Sequence, residues 1–275
     1  MYRLFKPHPV LQTYIESYWS IQALEHPITL REQVFVDGRA DVLFNFGAPY
    51  LRHPLHQPRA DQLGFSNVDG QRDYPLVIVQ EGHVNLVGIR FRPGGLTAFL
   101  RQPVDAVGNL TLEVQQVWGK AAYELEGRLF DARTSQQTTT LLDTFFLNQL
   151  HNTTSYQYIR YVAQEIEQQG GSLSIMALSR ESGYSIRTVD RLFRRHYGTT
   201  PKFYARIVRF QRVLALLSRN SDLPLTQIAL MCSYYDHAHL THQFTAFTGA
   251  SPDQYRDVLR ARLQTPPPNL AQYFA

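Results

Sequence analysis

Along the first half of the chain the apolar positions change rhythm several times. Leu11, Tyr14, Ile15, Tyr18 and Trp19 recur at i, i+3 and i+4, which predicts a short helix with one apolar face. EQVFV and ADVLFNFG have strand-like lengths on either side of Asp37-Gly38, a dipeptide that readily takes positive φ, and predict two strands around a tight turn. PLVIVQ and HVNLVGIRF repeat that scheme around Glu81-Gly82. Helical spacing returns from Leu112 to Phe130 and from Thr138 to Leu150. The second of these carries a stripe of Leu141, Leu142, Phe145 and Phe146, for which a second copy of the chain is a candidate cover. The polar run HNTTS at 151–155 marks a linker. From Tyr156 the spacing is helical almost throughout, until the three consecutive prolines of TPPPNLAQYFA predict a loose tail.

The helical segment is duplicated. LSRESGYSIRTVDRLFRRHYGTTPKFY, from Leu178, aligns with IALMCSYYDHAHLTHQFTAFTGASPDQY, from Ile228. Leu178 matches Ile228 and Ser182 matches Cys232. Beyond the turn, Ser185 matches Asp236, Phe193 matches Phe244, Gly198 matches Gly249, Pro201 matches Pro252 and Tyr204 matches Tyr255. The second copy has therefore gained one residue between Ser233 and Asp236. Each copy reads as helix, sharp turn, N-cap, second helix, glycine stop and third helix. Ser185 and Asp236 are N-caps, Gly198 and Gly249 left-handed stops, and Pro201 and Pro252 open the following helix. Val189, Leu192 and Phe193 form the apolar face of one second helix; Leu240, Phe244 and Phe247 form that of the other. A plain helical bundle explains these faces equally well, but it gives no reason for the opposite face of the first copy to collect Arg187, Thr188, Asp190, Arg191, Arg194 and Arg195.

In a helix-turn-helix the second helix enters the major groove. Arg187 and Arg191, one turn apart, can each pair bidentately with guanine. Asp190 is either an acceptor for cytosine or a brace for one of those arginines. Thr188 completes the base-reading set, while Arg194, Arg195, Lys202, Arg206 and Arg209 are expected at phosphates. In the second copy Ala238, Thr241 and His242 replace Arg187, Asp190 and Arg191; they suit a thymine methyl and hydrogen bonds to bases or phosphates. The helix from Pro201 to Arg219 is about 28 Å long at 1.5 Å per residue, against about 34 Å for one turn of duplex. Two grips on such a spacer suit successive major grooves.

Charge agrees with this placement. The chain of 275 residues has a net charge of +4, but residues 155–264 hold fourteen Arg and Lys against eight Asp and Glu, and the remainder thirteen against fifteen. The positive charge thus belongs to the duplicated segment. No apolar run approaches the roughly 20 residues a bilayer crossing requires, and MYRLFKPHPV lacks a secretory h-region, so a cytoplasmic protein with no membrane partner is expected. The single cysteine, Cys232, excludes an internal disulfide and a thiolate zinc cluster and reads as a small buried hydrophobe. His237, His239 and His242, and separately His53 and His56, are spaced like ligands without completing a set, so neither a metal nor another cofactor is expected.

The repeated stretches closely resemble the AraC/XylS-type DNA-binding domain over about 110 residues. The resemblance implies a bacterial transcription factor. It carries base reading to Arg187, Asp190 and Arg191 and to Ala238, Thr241 and His242. Two positions depart from the family: Ser233 stands where glycine is usual, which implies a strained or reshaped turn, and Thr245 stands where a basic residue is usual. HPVLQTYIESYWSI, VDGRADVLFNFG and GIRFRPGG are similar to a less characterised domain found ahead of such units. The expected organisation is an α+β sensing or dimerisation domain over 1–152, built as a small β-sheet or barrel with flanking helices. An all-α domain with two helix-turn-helix units follows over 153–262, and a flexible tail over 263–275.

In the N-terminal part, Arg90 and Arg92 precede Pro93-Gly94-Gly95 and a helix expected near Leu96; they either hold an anionic effector or pair with Asp37, Asp41 or Glu81. Trp19, Phe44, Phe46 and Trp118 are pocket or core. Three functions fit: a regulator answering a small molecule, a DNA binder controlled by abundance or a protein partner, and a DNA-tethered enzyme. The last lacks a nucleophile with its base, a metal set or a phosphate loop, and a DNA-repair fusion would need a reactive cysteine in the N-terminal half. The expected partners are double-stranded DNA, a small-molecule effector, a second copy of the chain and RNA polymerase.

Overall fold

The computed structural model describes residues 2–55, 61–151, 154–172, 183–219 and 222–264. Eight strands form one antiparallel sheet: β1 (Tyr2–Phe5), β2 (Ile15–Val34), β3 (Asp41–Asn45), β4 (Tyr50–Pro54), β5 (Asp61–Leu63), β6 (Asn67–Asp69), β7 (Leu76–Phe91) and β8 (Thr111–Glu113). The long pair β2 and β7 runs from Ile15 opposite Phe91 to Val34 opposite Leu76. The other edge of β7 is shared, β4 taking Leu76 to Gln80 and β3 taking Leu86 to Arg90. Between those two stretches Gly82 has φ of 111°, opposite a slip of β2 between Ala23 and Ile28.

Two turns expected from dipeptides are therefore different objects. Glu81-Gly82 lies within one continuous strand, and the stretches around Asp37-Gly38 do not pair with each other, because β7 lies between β2 and β3. The helix expected at Leu11–Trp19 is a single 3-10 turn, Leu11–Thr13, running into β2. A slip in pairing between Ile15 and Ser17 leaves both Ile15 and Tyr18 in the core, which reproduces helical spacing in a strand.

Helices α1 (Val114–Trp118), α2 (Lys120–Asp131) and α3 (Ser135–Gln149) follow, the first two split at Gly119 where a single helix was expected. The stripe on α3 is used within the chain. Leu142 and Phe146 are fully buried, and Phe146 meets Phe91 and Phe99 edge-on at 5.7 and 5.0 Å. It therefore offers no face to a second copy. Phe44 and Trp118 join this core, Trp118 donating Nε1–H to Phe99 O at 2.8 Å. Burial of each such ring is worth about 2 kcal/mol.

Six helices complete the described chain: α4 (Thr154–Gln168), α5 (Ile186–Tyr197), α6 (Pro201–Arg219), α7 (Leu225–Met231), α8 (His237–Thr248) and α9 (Pro252–Gln264). They share one apolar core with the sheet. Phe35, just past β2, lies 6.4 Å from the Phe210 ring and 5.8 Å from the Tyr255 ring. Gln33 donates to Thr248 O, and Gln211 to Val36 O at 3.4 Å. Asn152 and Thr153, at the expected boundary, and residues 265–275 of the expected tail lie outside the described residues.

Candidate nucleic-acid interface

The two second helices, α5 and α8, are started and stopped by the same devices. Ser185 Oγ accepts the Thr188 N–H at 3.2 Å, and Asp236 Oδ1 accepts the His239 N–H at 2.7 Å. Gly198 and Gly249, at φ of 66° and 77°, return their N–H groups to Arg194 O and Thr245 O, both at 2.7 Å. The second unit is complete, with α7 packed on α8 and Cys232 fully buried between them. Leu178 and Ser182, expected in the first helix of the first unit, lie outside the described residues.

Buried faces orient both helices. Val189, Phe193, His196 and Tyr197 point into the protein on α5; Leu240, Gln243, Phe244, Phe247 and Thr248 do so on α8. Arg187, Arg191, Arg194 and Arg195 are exposed, and Thr188 and Asp190 half-buried. The Thr188 hydroxyl lies 2.9 Å from Ser185 Oγ, so it is tied to the cap. On α8, Ala238 and His242 are exposed and Thr241 half-buried. Lys202 is exposed at the start of α6.

Arg206 and Arg209, expected at phosphates, are half-buried and make contacts within the fold. Arg206 lies 5.2 Å from the Phe203 ring and 5.3 Å from the Phe247 ring, with Nε 3.4 Å from Gln243 Oε1. Arg209 donates to Gly171 O at 2.9 Å and covers the Tyr234 ring at 5.6 Å. Gln243 completes the clasp: fully enclosed, it donates to Arg206 O and to the Tyr234 hydroxyl, each at 2.9 Å. It occupies the repeat position of Leu192, and a polar residue at that apolar position is the signal that could have singled it out.

The C-terminal end of α5 is pinned to the sheet domain. His196 Nδ1 lies 3.0 Å from Thr97 Oγ1, and Nε2 lies 3.0 Å from Ser155 Oγ on α4. Burial, aided by Arg195, pushes its pKa down to about 4, so the ring is neutral at physiological pH. Tyr197 closes over Gly94, where a Cβ would approach its ring to 2.6 Å.

Arg90 and Arg92 do not converge. Arg90 is paired with Asp37 at 3.2 Å and Asp41 at 3.4 Å on the sheet interior. Arg92 donates to Gln12 O at 2.8 Å and faces a separate cleft beside α4 and α6. The segment after them is a 3-10 turn, Gly95–Phe99, too short for the expected helix N-terminus. Among the described residues no group of three or more His, Cys, Asp or Glu is placed to hold a metal ion, and no helix is long and apolar enough to cross a membrane. His56 lies outside the described residues.

Residues 178–257 match a family described as a helix-turn-helix domain, and residues 3–113 match a domain of unknown function, DUF6597. The HTH-type transcriptional activator RhaS of Escherichia fergusonii is 33% identical over 93 residues, covering 34% of this chain and 33% of that protein. The HTH-type transcriptional regulator CdhR of Pseudomonas aeruginosa is 32% identical over 97 residues, covering 34% and 29%. The chain thus spans about a third of the length of these relatives. Among solved structures, ToxT from Vibrio cholerae aligns over 85% of this chain and 98% of that one, at 8% identity and a TM-score of 0.47. The DNA-binding domain of AdpA, solved with a target DNA, covers 39% of this chain and 96% of that one, at 26% identity and a TM-score of 0.36. The helix-turn-helix match thus falls on the C-terminal part of the chain, which is also where it is similar to transcription regulators.

Proposed function

We propose that this chain is a transcription regulator whose two helix-turn-helix units read adjacent major grooves of double-stranded DNA, and whose sheet domain receives a small-molecule signal. One observation carries the reading. Two helices with matching caps and stops, joined through the about 28 Å helix α6, turn apolar faces inward and leave Arg187, Arg191, Ala238 and His242 outward. Arg187 and Arg191 supply the strong base contacts, with Asp190 beside them. Thr188, Ala238, Thr241 and His242 supply register and modest selectivity, and Arg194, Arg195 and Lys202 contact phosphates. Arg206 and Arg209 shape the spacer. Such a protein acts in the cytoplasm, where bacterial DNA lies, and the regulator names of the relatives favour this over a DNA-tethered enzyme.

Selection of tight-binding duplexes from a random pool identifies the site. Arg191→Ala then costs about 1 to 3 kcal/mol on the selected duplex and much less on unrelated DNA. An equal loss on both would reduce Arg191 to a phosphate contact, and failure of the pool to converge would remove sequence reading altogether.

A further inference from the structure

A cleft runs between the last turn of α5 and the helices that follow the sheet. Its other walls are the segment after β7, the junction of α1 and α2, and the C-terminal end of α3. The volume is about 790 Å³, within the range of about 300 to 1,000 Å³ for sites that take small molecules. Hydrogen bonds fix these walls to one another. His196 spans Thr97 and Ser155, Trp118 Nε1–H reaches Phe99 O at 2.8 Å, and the His151 N–H donates to Ala98 O at 2.9 Å. The space is thus built into the folded chain.

Its charge has one sign. Arg101 and Arg195 line it, both exposed, and neither enters an ion pair among the described residues. No Asp or Glu stands among its described lining residues. His196 adds no charge, because burial keeps the ring neutral. The C-terminal ends of α3 and α5 bring about half a negative charge each, less together than the two guanidiniums. Beside the arginines, Val117, Trp118, Ala121 and Leu150 are only half-buried and leave apolar surface in the cleft. Guanidiniums hold oxyanions through paired hydrogen bonds, and the apolar wall favours a hydrocarbon body over water.

We propose that this cleft binds an amphipathic organic anion, with its charged head at Arg101 and Arg195 and its apolar body against Val117, Trp118 and Leu150. The inference rests on the reading of the chain as a regulator that receives a small molecule, and it gives that molecule a class and a place. The place also sets the direction of control. Arg195 lies on the helix that carries Arg187 and Arg191 near its other end, and it is one of the proposed phosphate contacts. A guanidinium held by the anion is withdrawn from the duplex, so the ligand lowers affinity for DNA.

Trp118 reports occupancy, since in a Trp19→Phe chain it is the remaining tryptophan. Its fluorescence changes saturably with 4-phenylbutyrate and not with 4-phenylbutanol or 4-phenylbutylamine. Arg101→Gln and Arg195→Gln, each shown folded by circular dichroism, weaken 4-phenylbutyrate binding by about fivefold or more in calorimetry. Ala121→Trp, which fills the cleft, does the same from the apolar side. Arg133→Gln removes an exposed arginine just before the start of α3 and leaves binding unchanged. No response to 4-phenylbutyrate, an equal response to the alcohol or the amine, undiminished binding in both cleft arginine variants, or an equal loss in Arg133→Gln would overturn the site. In parallel, affinity of the full chain for the selected duplex is measured with and without saturating 4-phenylbutyrate. A lowered affinity supports the withdrawal of Arg195, and an unchanged or raised one overturns it. If no duplex binds, the regulator reading fails while the fluorescence still decides the ligand.

Discussion

Ser233 shows how a single residue can record both a fold and its cost. Its φ is 58°, and its counterpart in the first repeat, Gly183, has φ of 71°, so both turns require the same left-handed conformation. Glycine adopts it freely; for serine the region costs about 1 to 2 kcal/mol, part of which glycine forfeits through its greater freedom when unfolded. Ser233→Gly should therefore stabilise the chain by about 1 kcal/mol in chemical denaturation, and a loss of stability would reveal a compensating role for the hydroxyl. The strained turn was legible from the family resemblance, because serine stands where glycine is usual. The charge cluster around Glu32 was not. Its members come from β2, β3, β4, β6 and β7, and no local spacing brings them together.

At the scale of elements, the described helices of the duplicated segment were read well, the N-terminal helices and the strand partners poorly. A helix carries its bonds, caps and stops within a short stretch, so Ser185, Gly198, Asp236 and Gly249 could be assigned from the chain alone. A strand depends on its neighbour. EQVFV and ADVLFNFG were recognisable as strands, yet nothing in them shows that β7 passes between. Helix α5 also has an attachment that periodicity could not reveal, the contact of His196 with Thr97 and Ser155. With a pKa pushed to about 4, well below the ordinary histidine value, His196 favours folding while neutral. Its contribution is complete above about pH 6.5 and is lost as pH falls toward 4. Glu32 and Asp41 act oppositely, since their raised values favour the fold at low pH. The comparison must therefore be with His196→Gln. Denaturation curves should show the wild-type chain losing more stability than the variant between pH 6.5 and 4, and parallel losses would assign the acid sensitivity elsewhere.

Across the whole molecule, the core does not stop between sheet and helices. Phe35 leaves the sheet and packs among Phe210, Tyr255 and their neighbours, so each part completes the other's apolar surface. Calorimetry of the full chain should show one cooperative transition, and Phe35→Ala should lower it by about 2 kcal/mol, less than a fully buried ring because Phe35 is half-buried. Two separate transitions, with only one moved by the substitution, would show that the parts fold independently. The clasp of Gln243 on Arg206 and Tyr234 has a different reach. It fixes the azimuth of the second grip on the long helix. In the proposed complex, inserting one base pair between half-sites turns the far groove by about 34° and moves it about 3.4 Å along the axis. A hinge would follow that displacement. A glutamine amide with both ends bonded inside the protein, backed by Phe210 against Phe244 and Phe247, resists it, so in the proposed complex the tolerated distance between half-sites follows from buried groups that do not meet the DNA.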